Sequence, residues 1–338
     1  MPCRSALAAL CMYSTTCFAA PPGTQPGRVL VAQDGSGDFK TVQAAIDAAG
    51  PEGAVIRIRP GVYVEHITVT KPKIELRGLG DDPRQVVLTY HLSAGTAGGT
   101  FKSASTTVTG ADFFAGNLTF ENTFTSTQPL AEGSQAVALR VTADRAVFRG
   151  VRFLGYQDTL YATTAGCMND GAECRPARQY FADCYIEGNV DYIFGDALAF
   201  FENCEIHSLP HDIVAITAQS KRRADEKSGY VFDRCRLTAA PGADRVYLGR
   251  PWRAYASVIF LHTFMGPEIV PAGWLEWEHD GRPSLPTAYF AEYGSAGPGA
   301  RPAARDPHSV QLTKKAAAKL TPRAFLAGDD GWDPTAVR

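Results

Sequence analysis

Phe148-Arg-Gly-Val-Arg-Phe-Leu-Gly155 and Phe181-Ala-Asp-Cys-Tyr-Ile-Glu-Gly188 are two copies of one pattern, 33 residues apart. The frame returns at Phe201-Glu-Asn-Cys-Glu-Ile206 and Phe232-Asp-Arg-Cys-Arg-Leu237, and more loosely at Ala115-Gly-Asn-Leu-Thr-Phe120. Each copy alternates apolar and polar residues and ends in Gly, Asn or Asp, which predicts a short strand followed by a turn. Strands recurring at this period without helices between them predict an all-β fold, a parallel β-solenoid of stacked rungs. Neighbouring strands in such a stack lie about 4.8 Å apart. Asp158 stands ten residues after Phe148, and Asp191 ten after Phe181. The repeat therefore places these two carboxylates side by side on adjacent rungs.

A chain of 338 residues can bury a large core, and a solenoid accommodates that length as one unit. The formal charge of −2 supplies no polycation for nucleic-acid binding. Lys221-Arg-Arg223 reads as a solvated loop, with Asp225 and Glu226 close behind. Residues 1–20 resemble an export signal: Arg4, the apolar run Ala6 to Met12, and Cys17-Phe-Ala19 as a small-x-small cleavage site. The apolar run is too short to span a bilayer. The expectation is a secreted or periplasmic protein without a membrane span, with one folded domain covering residues 28–334.

Beyond the signal the cysteines are Cys167, Cys174, Cys184, Cys204 and Cys235. Export favours disulfides. Cys167 and Cys174 bracket a polar loop they can close. Cys184, Cys204 and Cys235 share one frame position, so they form a column. Cys184–Cys204 is the expected bridge there, leaving Cys235 as a buried thiol.

In chain order, Thr41 caps an expected helix over Val42 to Ala49, placed to plug the open end of the solenoid. Strands are expected over 28–32, 54–59, 61–69, 73–78 and 86–89, and again over 106–108, 118–120 and 135–141. The Gly/Ala/Ser/Thr-rich stretch from Leu92 to Ser105 reads as a loop that lines a cleft. Near the end, Thr313 to Leu320 reads as a helix and Thr321 to Pro334 as an extended tail packed on the outside.

Two carboxylates held close in a cleft cannot both ionise at ordinary pKa, so one keeps its proton and can serve as acid while the other attacks. Taken alone, Asp158 and Asp191 read as turn residues. Their shared frame and their neighbours, Tyr156-Gln157 and Tyr192, favour chemistry. Arg250, in Leu-Gly-Arg-Pro-Trp252, can hold one aspartate ionised through a bidentate pair. Gln135 and Gln157 can donate amide N–H groups to an oxyanion. Trp252 suits stacking against a sugar face, although a Trp is more often partly core. The histidines are scattered, with no Gly-x-Ser-x-Gly elbow and no His-Glu-x-x-His, so neither a serine triad nor a metal centre is indicated.

Five segments in order resemble the pectin methylesterases, the pectinesterases of carbohydrate esterase family 8: Gly61-Val-Tyr-Val-Glu65, Gln135-Ala-Val-Ala-Leu139, Gly155-Tyr-Gln-Asp-Thr-Leu-Tyr161, Asp191-Tyr-Ile-Phe-Gly195 and Leu248-Gly-Arg-Pro-Trp252. The resemblance runs from about Val29 to Trp332. It implies a right-handed parallel β-helix, with a capping helix and an external C-terminal tail, that hydrolyses methyl esters of galacturonate in pectin or oligogalacturonates without a cofactor or metal. It assigns Asp191 as nucleophile, Asp158 as general acid/base and Gln135 and Gln157 as oxyanion donors. Arg250 becomes the partner of Asp191, Trp252 a substrate-contacting aromatic, and Tyr156 and Phe194 border the groove. A monomer is expected.

Three features depart from the family pattern. Tyr192 stands where Phe is usual. The insertion from Ala162 to Arg178 is longer than in plant-type members. No inhibitory pro-domain precedes Val29, which suggests a bacterial-type enzyme. Rival readings fit less well. A polygalacturonase does not need two glutamine donors and has His-Gly and Arg-Ile-Lys signatures missing here. A pectate lyase needs a calcium-binding acidic cluster. A non-catalytic solenoid has no reason to keep both aspartates, both glutamines and Arg250. An esterase of the same design acting on another ester or thioester stays open.

Overall fold

The computed structural model describes residues 27–124, 133–166, 175 and 177–337. The export signal and the Cys167–Cys174 clasp lie outside them. One full turn of the chain visits three sheets in succession. Ala146–Arg149 enters an eleven-stranded sheet, Arg152–Leu154 an eight-stranded one and Leu160–Ala162 a seven-stranded one, before Arg178–Ala182 returns to the first. The strands pair in parallel with the expected register: Phe148 opposite Phe181, Phe153 opposite Ile186, Leu160 opposite Ile193. The result is a parallel β-helix.

The repeated phenylalanine is its axis. Phe148, Phe181, Phe201, Phe232 and Phe260 stack face to face with centroid separations of 4.7, 4.6, 4.4 and 4.7 Å. These distances match the strand spacing, so each ring rides on its own rung. In the looser copy Ala115 lies opposite Phe148, and the neighbouring Phe113 fills the space, 5.7 Å from the Phe148 ring. Two residues beyond each column position the chain turns a corner with positive φ, at Asn117, Gly150, Asp183, Asn203 and Arg234. Gly, Asn and Asp adopt that conformation most readily, which explains the residue that closes most copies.

The cysteine column forms, but its expected bridge does not. Cys184, Cys204 and Cys235 are all free and buried. Each sulfur donates to the carbonyl of the column residue one rung back: Cys184 to Phe148 at 3.6 Å, Cys204 to Phe181 at 3.5 Å, Cys235 to Phe201 at 3.5 Å. In-register parallel strands translate one cysteine onto the next, so the Cβ vectors run alongside each other. A disulfide needs them turned toward each other. Burial pushes the Cys184 and Cys204 thiols well up, away from the reactive thiolate.

The N-terminal helix spans Val42–Ala48, is capped by Thr41 and buries Val42, Ala45 and Ile46 against the first rungs. Glu65 docks it, its carboxylate accepting from the Val42 and Gln43 N–H groups at 2.9 Å each. Glu65 also interrupts the strand expected over 61–69, which is two strands, Gly61–Val64 and Ile67–Val69. The Leu92 to Ser105 stretch contains two helical turns, Ala94–Ala97 with a Ser93 capping box and a 3-10 turn over Thr100–Lys102.

The helix expected over Thr313 to Leu320 is also a single turn, Lys314–Ala317, and the tail holds a second, Pro322–Phe325. Each threonine cap starts a turn that tertiary packing then ends. Leu320, Phe325, Leu326 and Trp332 lie on the outer face of the eleven-stranded sheet against Val147, Tyr180, Phe200 and Ile259. Arg178 fastens the tail by bonding Asp144 and Asp330 together.

Candidate active site

The site lies where the chain passes from the eight-stranded to the seven-stranded sheet on three consecutive rungs. Backbone bonds tie these corners together. The Ala136 N–H donates to the Gln157 carbonyl at 3.1 Å, and the Asp158 N–H to the Val190 carbonyl at 3.1 Å. Gln135, the Gln157-Asp158 pair and Asp191 therefore follow one another up the axis. Gly188 makes the stacking possible: a Cβ there would sit 2.5 Å from the Tyr156 carbonyl oxygen and 2.3 Å from Tyr192 Cβ.

Asp191 is aimed by an irregularity. Val190 pairs with Ala215 but Ile193 pairs with Thr217, so Asp191 and Tyr192 together oppose the single residue Ile216. This β-bulge gives Asp191 a φ of +53° and re-aims its side chain. Tyr192 goes to the interior, where its hydroxyl meets Ser208 Oγ at 3.0 Å. That buried bond accommodates the hydroxyl a Phe would lack. Asp158 also has positive φ, +66°.

Both carboxylates are nearly enclosed, Asp158 at 8% and Asp191 at 6% exposure, but they are treated differently. Arg250 Nε donates to Asp191 Oδ1 at 2.8 Å and its terminal nitrogen to Oδ2 at 2.6 Å, a bidentate pair. Gly249 lets this strand seat, since a Cβ there would lie 1.9 Å from Thr217 Oγ1. Trp277 covers the guanidinium, with Arg250 Cζ 4.1 Å from its ring centroid. Asp158 takes no side-chain hydrogen bond from the described residues. Burial, then the Asp191 charge, pushes it well above the ordinary carboxylate range, with Arg250 opposing. Burial also raises Asp191, but there the hydrogen bonds and charge of Arg250 pull the other way. The pair is biased toward a protonated Asp158 beside an ionised Asp191, an acid next to a nucleophile.

The glutamines sit on the same corners. Gln157 Oε1 accepts from Ser134 Oγ at 3.1 Å, which leaves its amide N–H groups to donate elsewhere. Gln135 is half-buried just before the strand Leu139–Val141, not inside the longer strand expected over 135–141.

An aromatic wall completes the face. Tyr161 stacks on Phe194 at 4.4 Å and on Phe101 at 5.2 Å, and Trp252 tilts against Phe101 at 6.2 Å and Phe194 at 5.9 Å. Tyr156 projects into solvent, 45% exposed, while Phe194 is nearly closed off within the wall. Reading the sequence picked out neither Phe101, Tyr161, Trp277 nor Ser134 as site residues. Tyr161 had a usable signal, since it falls on Phe194 in the 33-residue frame. Phe101 lies in the stretch Leu92 to Ser105 that reads as lining a cleft, but that reading did not single it out. Among the described residues, no three His, Cys, Asp or Glu side chains are grouped as metal ligands would be, and no helix is long and apolar enough to cross a membrane.

Known proteins are similar to this chain in sequence and fold. Residues 28–329 match the family described as Pectinesterase. Pectinesterase 31 of Arabidopsis thaliana is 40% identical over 315 residues, covering 88% of this chain and 92% of that protein. The chain spans about half the length of some other curated plant relatives. The solved structure of pectin methylesterase from carrot superposes with a TM-score of 0.79 at 33% identity, covering 90% of this chain and 95% of that one. A pectin methylesterase in complex with a hexasaccharide superposes with a TM-score of 0.76 at 30% identity, covering 93% and 99%. The curated relatives named here are plant proteins, so the expectation of a bacterial-type member finds no support. The family match over nearly all described residues agrees with a right-handed parallel β-helix, and the chain belongs to the pectinesterase family.

Proposed function

We propose that this protein removes methyl esters from galacturonate units of pectin, releasing methanol, with Asp191 as nucleophile and Asp158 as general acid and then base. The observation that carries the reading is the unequal treatment of the two carboxylates: Asp191 gripped by Arg250 at 2.8 and 2.6 Å, Asp158 buried beside it without a cation of its own.

An Asp191 oxygen attacks the ester carbonyl carbon, and the carbonyl oxygen becomes an oxyanion that accepts hydrogen bonds from the Gln135 and Gln157 amides. When the C–O bond to the methoxy group breaks, Asp158 gives up its proton and methanol leaves. The acyl group is then held on Asp191 as an anhydride. Asp158, now ionised, takes a proton from water as the water attacks the acyl carbon. Free galacturonate and ionised Asp191 result, and Asp158 is protonated again. Arg250 keeps Asp191 ionised between cycles, while Trp252 and the aromatic wall offer apolar surface to sugar rings. The exported, monomeric form expected from the sequence, acting outside the cytoplasm, belongs to this same reading.

The test is methanol release from highly methylated pectin, with and without chelator, beside Asp191→Ala. Release that ignores chelator and disappears in the variant supports the proposal. No release by the folded protein overturns the substrate, and release by Asp191→Ala overturns the nucleophile.

A further inference from the structure

The outer face of the eleven-stranded sheet carries a row of arginines that the proposed reaction does not use. Arg57 stands between the buried Ile56 and Ile58, Arg77 follows the buried Leu76, and Arg149 follows Phe148 of the column, so all three side chains leave the sheet on its outer face. In register, Arg57 lies opposite Arg77, Arg77 opposite Gly116 and Gly116 opposite Arg149. With neighbouring strands about 4.8 Å apart, the row extends along the axis of the helix. The active corner joins the eight-stranded and seven-stranded sheets, so this row lies on another side of the molecule.

The three arginines line a hollow of about 550 Å³ whose described walls contain no carboxylate. Gly116 opens it: the Phe114 ring lies across this glycine, where a Cβ would come within 2.8 Å of the ring, and Arg77 Cζ sits 4.1 Å from the Phe114 centroid. Thr335 of the tail closes one side, where Arg149 donates to the carbonyls of Val337 at 2.8 Å and Thr335 at 3.2 Å. Arg77 forms a 2.7 Å ion pair with Glu75, and both are partly exposed. Arg57 is exposed, and its side chain has no hydrogen-bond or ion-pair partner among the described residues. Farther along the same row the sign reverses, and there each charge is answered: Glu202 and Asp233 both pair with Arg234. Like charges directly opposite each other on neighbouring strands are unfavourable, so Arg57 beside Arg77 is a cost that an anion in the hollow removes.

We propose that this hollow is a second, non-catalytic binding site for an acidic polysaccharide whose units carry free carboxylates. Charge complementarity selects the occupant. Guanidinium groups spaced along an axis suit a polymer with a carboxylate on each unit, and they bind carboxylates through charge-assisted bonds that a neutral sugar cannot form. The identity of the polymer rests on the pectin reading above, because removal of methyl esters leaves such a polyanion as product. The hollow then tethers the protein to stretches already stripped of ester while the active corner works on stretches that keep it. A tether raises the effective concentration of a long polymer at the active corner, and does nothing for an oligomer too short to reach both places.

Two measurements decide it. The wild-type protein is labelled with an arginine-selective dicarbonyl reagent, alone, with polygalacturonate and with neutral dextran, and peptide mass spectrometry reads Arg57. Polygalacturonate is expected to slow labelling of Arg57 severalfold and dextran to leave it unchanged. Equal labelling in all three, or equal protection by both polymers, overturns the site. The second measurement compares wild type with Arg57→Glu, an exposed substitution whose fold is checked by its Tm. Arg57→Glu is expected to weaken the Kd for polygalacturonate about fivefold at low salt, a difference that shrinks as salt screens the charges. It should raise KM for half-esterified pectin by a similar factor, while kcat and KM for a fully methyl-esterified trimer stay within about twofold of wild type. An unchanged polygalacturonate Kd, or equal KM changes on polymer and trimer, overturns the assignment. If the wild type releases no methanol from pectin or trimer, the proposed reaction falls, and the labelling and the polygalacturonate Kd still decide the hollow on their own.

Discussion

Arg250 reaches Asp191 across an intervening strand, gripping both carboxylate oxygens from two rungs away with Ala218 lying between the two strands. A small residue at that point keeps the path open, and the covering Trp277 shields the ion pair. The pair opposes a desolvation that on its own would protonate the proposed nucleophile.

Arg250→Gln should therefore move the acid limb of the pH–rate profile to higher pH. Asp191 must be ionised to attack, and without the guanidinium only the upward push of burial remains. At neutral pH kcat is expected to fall about a hundredfold, partly recovering as pH rises. A profile whose acid limb stays in place while kcat falls would show that Arg250 acts elsewhere.

Asp158→Asn should be inactive and yet more stable near neutrality. The folded state raises the pKa of Asp158, so the unfolded chain ionises first as pH rises from about 4. Stability contributed by the protonated group is full below that point and declines toward the raised folded-state pKa. An uncharged Asn escapes the decline, so Tm of the variant should exceed wild type at pH 7, and the gap should close as pH falls to about 4. Thermal melts across that range check both parts, and a gap that widens on acidification contradicts the sign.

Ser134→Ala should lower kcat with little change in KM, because the hydroxyl fixes which way the Gln157 amide points. The decisive comparison is with Gln157→Ala. If Ser134 acts through that amide, removing it in the Gln157→Ala background should cost nothing further. Additive losses would place its effect elsewhere.

Cys184, Cys204 and Cys235 should all react with an alkylating reagent in denaturant without reductant, and all resist it in the folded protein. Peptide mass spectrometry reads each site separately. A Cys184–Cys204 peptide pair that stays unalkylated until reduced would restore the bridge.

The path of the chain was legible because a solenoid translates sequence period directly into vertical position. Phe148 on Phe181 and Asp158 on Asp191 share one offset, so the residues to be paired could be named before any coordinate. What escaped the sequence was what periodicity cannot encode. The bulge at Asp191 leaves no mark: taken alone Asp191 reads as a turn residue, whereas it lies within the strand Val190–Gly195 at a register shift. The cysteine column gave the right neighbours and the wrong bond, because period fixes height on the stack but not the direction of a Cβ. Phe101 joins the wall through the fold of an irregular loop. The C-terminal turns were overextended because a threonine cap announces where a helix begins, while packing against Tyr180 and Phe200 decides where it stops.

The phenylalanine column keeps its 4.4 to 4.7 Å spacing although the chain spends very different lengths on each circuit, passing through positions 148, 181, 201, 232 and 260. Height along the axis is thus uncoupled from the length of chain that loops outward between sheets. Such a scaffold lets connections lengthen or shorten without disturbing the spacing of the carboxylates. Groove depth and substrate preference can then drift among relatives while the distance between acid and nucleophile stays set by the strand spacing.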